Sequence, residues 1–360
     1  MTPPPVLRTR PTDDQRVSTL DALQWQIEYV TTAGSPVAAL VLIAVRDDLG
    51  HDGALATVLP RAVRFGDLIG LRIMAAVHRL ALDRCAPRVA LHLPTLGGTA
   101  PVAEHAQEVF RHAVVDSLAH NPTALRASLA RTPQTNETGR AALLRCALSR
   151  LDSPLPVRLR EVGASAGLNL RADHLPGIPA LEAGPLPAIV DRRGCDLHPI
   201  DPATQDGRLT LSSYVWVDDV ERFDRLSRAM AIAARVPAHV DAADAGEFAE
   251  ALDTREGHTT VLWHSAMWVY LSSRGRSRIL SAAQAIGARA TASAPFVHAS
   301  WEWAVRPLDV GHPFQLVVRQ WAGGTDDGAP QVLAHGASHG SADLVHGLQG
   351  LTLGSEPLSV

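Results

Sequence analysis

The sequence predicts an α/β fold in which a doubly wound, mostly parallel sheet with a C-terminal antiparallel hairpin follows a helical domain. Strand-like and helical segments alternate from residue 154 to residue 321. Before that point, apolar residues recur at helical spacing. Near the C-terminus, two β-rich runs flank the glycine-rich residues 323–328, a pattern typical of a hairpin.

The length and composition indicate a globular chain with more than one domain. Its 360 residues exceed what one core usually fills, and 46% of them are hydrophobic while 19% are charged. We expect a disordered tail over residues 1–12, where Pro3–Pro5 cannot form a helix. A helical domain over 13–152 and a sheet domain over 153–360 should follow.

The helical domain is predicted from three periodic segments, and no strand is predicted in it. The apolar residues that define the three segments are Leu20, Leu23, Ile27 and Val30; Val102, Ala106, Val109, Ala113 and Val114; and Ala141, Leu144, Leu148 and Leu151. Pro101 stands at the start of the second helix, where its missing N–H costs nothing.

The sheet domain is predicted from alternating signals. Strands are expected at residues 157–162, 188–197, 238–241, 259–264, 295–301, 314–321 and 331–335. Helices are expected from a cap at Asp218 or Asp219 to Ala234, at 247–252, and from Arg274 to Ile286 with a stop at Gly287.

Charge and composition exclude several function classes. A net charge of −4 disfavours a nucleic-acid partner, and the absence of lysine excludes Schiff-base chemistry. Cys85, Cys146 and Cys195 form no Cys-x-x-Cys pair, so a reducing cytoplasm is expected. The longest apolar stretch, 36–45, is too short for a bilayer. We expect a small-molecule substrate and no membrane partner, and a homodimer remains an alternative.

The turn Gly163-Ala164-Ser165-Ala166-Gly167 after the first sheet strand has three interpretations. It can be a tight connection without a ligand, or a strand–turn–helix site where backbone N–H groups meet a nucleotide. It also matches the Gly-x-Ser-x-Gly elbow of a serine hydrolase, with Ser165 as nucleophile, Asp241 or Asp244 as acid and a later histidine as base. Upstream, the sequence has no His-Gly-Gly-Gly oxyanion segment and no strands, which disfavours the hydrolase.

Several motifs together resemble class I S-adenosylmethionine-dependent methyltransferases over residues 155–340. In family order they are Glu161–Gly167, Gly194–Pro199 with Asp196, Asp241–Ala245, and Thr260–Met267 followed by Tyr270-Leu271. Gln134-Thr135-Asn136-Glu137 and Glu161–Leu170 also resemble a bacterial family of unknown function. The resemblance implies a Rossmann-like domain, S-adenosylmethionine as cofactor and methyl transfer to a small molecule.

The resemblance also implies roles for individual residues. Glu161 would hold the ammonium of the methionine moiety, Asp196 the ribose hydroxyls, Asp244 and Ala245 the adenine, with Gly163, Ser165 and Gly167 forming the turn. His264, at the end of the fourth strand, would be a general base. Two features depart from the family pattern. Gly163 and Asp196 are 33 residues apart, against about 20 between a Rossmann turn and its ribose-binding acid. Arg158 and Arg160 also lie in a strand that should be apolar. The Pro/Gly-rich residues 176–187 could be the inserted excess.

Further residues are candidates for substrate binding. They are Gln134, Asn136, Glu137, Trp268, Tyr270, Trp301 and Glu302. For each, a structural role as a helix cap, a core aromatic or a strand residue is the alternative. His335, His339 and His346 lack neighbouring carboxylates in a recognisable motif, so no metal is expected. Another reaction of S-adenosylmethionine, or ligand binding without catalysis, remains an alternative function.

Overall fold

The structure, a computed structural model, describes residues 11–304, 313–324, 328–337 and 342–344. Ten of the twelve residues assigned to the predicted tail lie outside these ranges. Two compact units make up the chain: Met1–Thr135 with Thr204–Asp224, and Asn136–Ala203 with Arg225–Val360. The predicted boundary near residue 152 lies within the second unit.

The elements are numbered along the chain. The helices are α1 (Thr19–Thr32), α2 (Pro36–Gly50), α3 (Ile69–Leu82), α4 (Pro87–Ala90), α5 (Glu104–His120), α6 (Pro122–Ala130), α7 (Ala141–Leu148), α8 (Gln205–Ser213), α9 (Val220–Ala233), α10 (Ala245–Glu250) and α11 (Ser273–Gly287). The strands are β1 (Arg16–Ser18), β2 (Ala62–Arg64), β3 (Val157–Val162), β4 (Ile189–Asp196), β5 (His239–Ala242), β6 (Thr259–Ser265), β7 (Phe296–Trp303), β8 (Phe314–Trp321), β9 (Gln331–Gly336) and β10 (Ala342–Leu344). In the described ranges, no helix has the length and apolar character that a membrane span requires.

The first unit is mainly helical, as its apolar spacing predicts. Leu23, Leu42, Ile73 and Phe110 come from four different helices and are fully buried in one core. Three expected core positions are wrong: Leu20 and Val109 are exposed, and Val102 precedes α5 and is 85% exposed. The prediction of no strand is also wrong, because β1 and β2 pair antiparallel. Strands of three residues are too short to show a period.

The two aspartates before α9 cap different helices. Asp219 accepts a hydrogen bond from the Arg222 backbone N–H at 3.1 Å, which caps α9. Asp218 instead accepts the Val37 N–H at 2.7 Å and so serves the N-terminus of α2. This contact spans 181 residues of sequence, so local pattern could not show it.

The second unit is built on an eight-stranded sheet with the order β10-β9-β8-β7-β6-β3-β4-β5. Five neighbouring strands, from β5 to β7 in that order, are parallel. The predicted mixed α/β fold with a mostly parallel sheet and an antiparallel β8–β9 pair is confirmed. Beyond the prediction, β8 lies inside the sheet, antiparallel to both β7 and β9, and β10 forms the edge. Residues 325–327 of the predicted hairpin turn lie outside the described ranges.

Helices cover both faces of this sheet. On one face, α11 packs with Leu262, Phe296 and Trp321. On the other, Gln320 donates a hydrogen bond to the Arg150 carbonyl just after α7, at 3.3 Å. Trp321 and Gln320 are consecutive in β8, so their side chains point to opposite faces.

The two arginines that β3 carries are paired with acids. Arg160 is 4% exposed and forms an ion pair with Asp191 of the neighbouring β4. Arg158 forms an ion pair with Asp253 at 3.2 Å. Their charges are therefore compensated, which explains how a central strand tolerates them.

We expect Gly287→Ala to destabilise the protein, because a Cβ at this position would lie 2.4 Å from the Trp321 ring. Overpacking of this kind costs about 1–3 kcal/mol. Gly275→Ala, in the same helix, is the control, since its Cβ would meet only ordinary contacts beyond 3.5 Å. Urea unfolding followed by circular dichroism should show a lower midpoint for Gly287→Ala alone. Equal midpoints for the two variants would contradict the packing at Trp321.

Candidate functional site

The turn after β3 is held in an unusual backbone conformation. Gly163, Ser165 and Gly167 have φ values of 69°, 54° and 65°, in the left-handed region. Ser165 is the one non-glycine residue of the three, so neighbouring groups must hold it there. The carboxylate of Asp196 accepts the Ser165 N–H at 2.9 Å, and the Ile200 N–H donates to the Ser165 carbonyl at 3.2 Å. The end of β4 therefore shapes the turn at the end of β3.

The glycines of this turn accommodate protein side chains. A Cβ on Gly163 would lie 3.1 Å from the Met267 Cβ, and one on Gly167 would lie 2.8 Å from a methyl of Val240. The turn is followed by a 3₁₀ helix, Asn169–His174, and not by the α-helix that the strand–turn–helix interpretation requires. The β3–β4 connection also contains the short 3₁₀ helix Pro179–Leu181. Backbone N–H groups of an α-helix N-terminus are thus absent here, and a ligand would depend on side chains.

Glu161, the penultimate residue of β3, is a buried acid with unmet bonding capacity. It is 2% exposed, and burial raises its pKa to about 8, against smaller opposing effects of the Asn169 hydrogen bond and the Arg140 charge. Its Oε2 has no hydrogen-bond partner among the described residues, and the same is true of Ser165 Oγ and Asn169 Oδ1. Orphaned buried polar atoms are rare in folded proteins. These three residues share the end of β3 and the segment directly after it.

The indole of Trp263 adds a donor near this carboxyl. Trp263 is the register partner of Glu161 on β6, so the two side chains stand on the same face of the sheet. Its Nε1–H is buried without a partner among the described residues. The group around Glu161 thus offers both donors and acceptors to a polar ligand.

Asp196 ends β4 beside the turn, as the resemblance requires. Cys195, the preceding residue, is the register partner of Val162, so the 33-residue spacing still brings Asp196 to the turn. One carboxylate oxygen accepts the Ser165 N–H at 2.9 Å, and the other accepts the His198 N–H at 2.9 Å. The Asp196 carboxylate therefore stabilises the backbone of the turn.

Asp244, which follows β5, already forms hydrogen bonds and an ion pair within the protein. Asp244 is the N-cap of α10, accepts the Gly246 and Glu247 N–H groups at 2.9 and 3.0 Å, and pairs with Arg278 at 3.0 Å. Ala245, the first residue of α10, packs in the same hydrophobic core as Leu262 and Phe296.

Asp241 is bound by Arg193 and by His239 of its own strand, at 2.6 and 2.9 Å. The hydrogen bond from Arg193 lowers the pKa of Asp241. As Ser165 Oγ also has no partner among the described residues, no histidine base is in place beside it.

The polar residues just before α7 form hydrogen bonds near the glycine turn and the end of β6. Asn136 accepts the Leu168 N–H at 3.0 Å, just after the glycine turn. Glu137 accepts the Gly139 N–H at 2.8 Å and pairs with Arg225 at 3.4 Å. Arg140 donates to the Ser265 carbonyl at 3.3 Å. Gln134, also predicted to bind substrate, belongs to the first unit and is buried.

His264, the predicted base, is fully buried and bonded at both ring nitrogens. Nδ1 lies 2.9 Å from Glu302 Oε1, and Nε2 lies 3.0 Å from His298 Nε2. The ring also stacks on Trp268, with centroids 4.1 Å apart. With both nitrogens engaged, the imidazole cannot take a proton from a ligand in this conformation.

The other aromatic candidates differ in exposure. Trp301 is fully buried and stacks on Phe314, whereas Trp268 and Tyr270 are half-buried in the loop after β6. Tyr214 and Trp216 belong to the first unit. Of the described residues, none form a His/Cys/Asp/Glu group suited to a metal, and His339 and His346 lie outside the described ranges.

Sequence reasoning missed Asn169, Arg140 and His298. Asn169 lies two residues after Gly167. A polar side chain so close to a glycine-rich turn was a signal for a site residue. His298, Ser300 and Glu302 carry polar groups at every second position of a buried strand, which was a readable signal for a polar row on one face. Arg140 had no signal, because its partner lies 125 residues away.

A profile of a protein family described as uncharacterized and conserved in bacteria, DUF2332, matches residues 21–342. The expected resemblance to a bacterial family of unknown function is thereby confirmed. No curated protein and no solved structure matches the chain.

We expect the stability of the protein to depend on pH through Glu161. Folding raises the pKa of this carboxyl from 4.5 to about 8, so the folded state holds the extra proton between these values. The free energy of unfolding that this group contributes should fall as pH rises through that window, by up to about 1.4 kcal/mol per pH unit. Glu161→Gln removes the titration and should gain stability relative to the wild type from pH 5 to pH 8.

Urea unfolding at three pH values measures this difference, with exposed Glu256→Gln as the control. A difference between Glu161→Gln and wild type that stays constant from pH 5 to pH 8 would show that Glu161 is ionised in the folded protein.

Proposed function

We propose that this chain, which belongs to the DUF2332 family, binds S-adenosylmethionine at the ends of β3 and β4 and transfers its methyl group to a small molecule. The observation that carries the proposal is the buried Glu161 carboxyl, whose Oε2 has no hydrogen-bond partner in the described part of the chain. Without a ligand, this carboxyl is neutral and one of its oxygens lacks a partner among the described residues. A cationic ligand would favour the ionised form of the carboxyl and supply the missing contact.

The strand order supports a nucleoside-type ligand at this position. The parallel strands run β5-β4-β3-β6-β7, so the chain order reverses between β3 and β6. In open α/β sheets, ligands bind beyond the carboxyl ends of the strands at such a switch point. Glu161 and the glycine turn end β3 at this location.

The residues around the turn fit the chemical groups of S-adenosylmethionine. Glu161 would hold the α-ammonium, with Asn169 Oδ1 as a second acceptor. Asp196 would accept the ribose hydroxyls, and Ser165 Oγ would contribute a hydroxyl to the pocket wall. Asp244 fits less well than the sequence implies, because its carboxylate already caps α10 and binds Arg278.

The chemistry of the proposed reaction depends mainly on positioning. The bound cofactor supplies an electrophilic methyl group. The protein orients the acceptor and the sulfonium and excludes water, and fixed orientation alone lowers barriers substantially. His264 is not retained as the base, since both its ring nitrogens are bonded within the protein. A small molecule in the cytoplasm suits the net charge of −4, which offers no strong attraction to nucleic acid.

We expect calorimetric titration to detect binding of both S-adenosylmethionine and S-adenosylhomocysteine, and Glu161→Ala to weaken it strongly. Removal of the carboxyl leaves the ammonium without a charged partner in a buried site, which costs tenfold to hundredfold in affinity or more. The exposed Glu256→Ala variant is the control. Absence of heat from both ligands in folded wild-type protein would overturn the proposal.

We further expect this binding to release protons. At pH 7, a carboxyl with a pKa of about 8 is mostly protonated, and contact with the ammonium should favour its ionised form. Titrations in two buffers of different ionisation enthalpy should therefore give about one proton released per ligand at pH 7. Glu161→Gln should release none, and equal heats in both buffers for the wild type would contradict this role of Glu161.

A serine hydrolase is the second candidate, favoured by the left-handed φ of Ser165 in its Gly-x-Ser-x-Gly turn. Ser165 Oγ has no partner within the described ranges, and Asp241 and Asp244 are engaged elsewhere; both observations count against it. A fluorophosphonate probe distinguishes the two candidates. Labelling that disappears in Ser165→Ala would favour the hydrolase, and no labelling would exclude a reactive Ser165.

A further inference from the structure

The loop after β6 contains a small anion-binding concavity that the protein fills with its own carboxylate. Ala266 has a left-handed φ of 49°, and the next two backbone N–H groups, of Met267 and Trp268, converge on Glu302 at 3.1 and 3.3 Å. Consecutive N–H groups around a left-handed residue form such a nest. Because Glu302 occupies it, the loop has a defined shape before any ligand arrives.

Glu302 is itself held from the interior of the sheet. Its Oε1 accepts from Met267 and lies 2.9 Å from His264 Nδ1, so this ring nitrogen is placed to donate to the same oxygen. His264 Nε2 then meets His298 Nε2 at 3.0 Å. Burial, together with the neighbouring charges of His264 and Arg319, lowers the pKa of His298 well below its usual range.

The loop in turn contacts the glycine turn. Met267 packs against Gly163 so closely that a Cβ on Gly163 would lie 3.1 Å from the Met267 Cβ. On its other side, the Ser265 carbonyl accepts from Arg140, whose charge acts on Glu161. The loop therefore links the polar row on β7 to the turn at the end of β3.

We infer that Glu302 is a positioning residue of the proposed site: its carboxylate fixes the loop 266–270, and Met267 transmits that fixed conformation to the glycine turn. His264 and His298 orient the carboxylate and do not contact the ligand. The inference rests on the proposed function for its effect on binding, while the effect on the loop stands without it.

Glu302→Gln tests the inference, because an amide of the same shape can accept from Met267 but turns a donor toward the Trp268 N–H. Hydrogen exchange of the full-length protein, read by mass spectrometry, should show amides of residues 266–270 exchanging about tenfold faster or more. Peptides from β7 should stay protected. S-adenosylhomocysteine should bind the variant about tenfold more weakly than the wild type.

Met267→Ala separates the two steps. It removes the Met267 Cγ and Cε, which lie 3.3 and 3.4 Å from the Cβ position of Gly163, but keeps the backbone bonds to Glu302, so binding should weaken while the exchange of loop amides stays as in wild type. Glu256→Gln should change neither measurement. Unchanged loop exchange in Glu302→Gln, or exchange that rises equally in β7, would overturn the positioning role. Wild-type protein that binds no S-adenosylhomocysteine would refute the proposed function, whereas the exchange measurement would still decide the role of Glu302.

Discussion

The candidate site depends on a single backbone constraint, the left-handed conformation of Ser165 between two left-handed glycines. This conformation costs a serine about 1–2 kcal/mol, so bonds from outside the turn must hold it. Asp196 and Ile200 supply them from the segment after β4. Since β3 and β4 are parallel neighbours, their ends meet at one edge, and Asp196 lies at the turn, where its charge also acts on Glu161.

Most polar groups along this edge are satisfied by the protein itself. Asp244 caps a helix, Asn136 binds the backbone after the turn, and Glu302 fills the nest of the loop after β6. The carboxyl of Glu161 differs, because burial leaves one of its oxygens without a partner among the described residues. Ser165 Oγ and Asn169 Oδ1 also lack a partner among the described residues, but only Glu161 is an acid whose pKa burial raises, so a ligand would change its protonation as well as its bonding.

The elements of the sheet domain could be predicted because each is encoded locally. The strand segment 157–162, the cap of α9 and the glycine-rich residues between β8 and β9 all appear in short windows of sequence. Asp196 could also be placed, since a residue that ends the next parallel strand must lie near the turn. The replacement of a crossover α-helix by 3₁₀ segments was not predictable from the spacing, which showed only an excess of residues.

The sequence by itself determined the order of the strands β3 to β9, the glycine turn and the acid before it, because these depend on residues close together in the chain. Only the tertiary structure decided which polar side chains remain available. His264 has the sequence position of a base, yet it is bonded at both nitrogens by residues 34 and 38 positions away. Likewise, Asp218 caps a helix 181 residues distant. Hydrogen bonds form between groups that are close in space. The register between strands helps to decide which groups are close, and no local sequence pattern encodes that register.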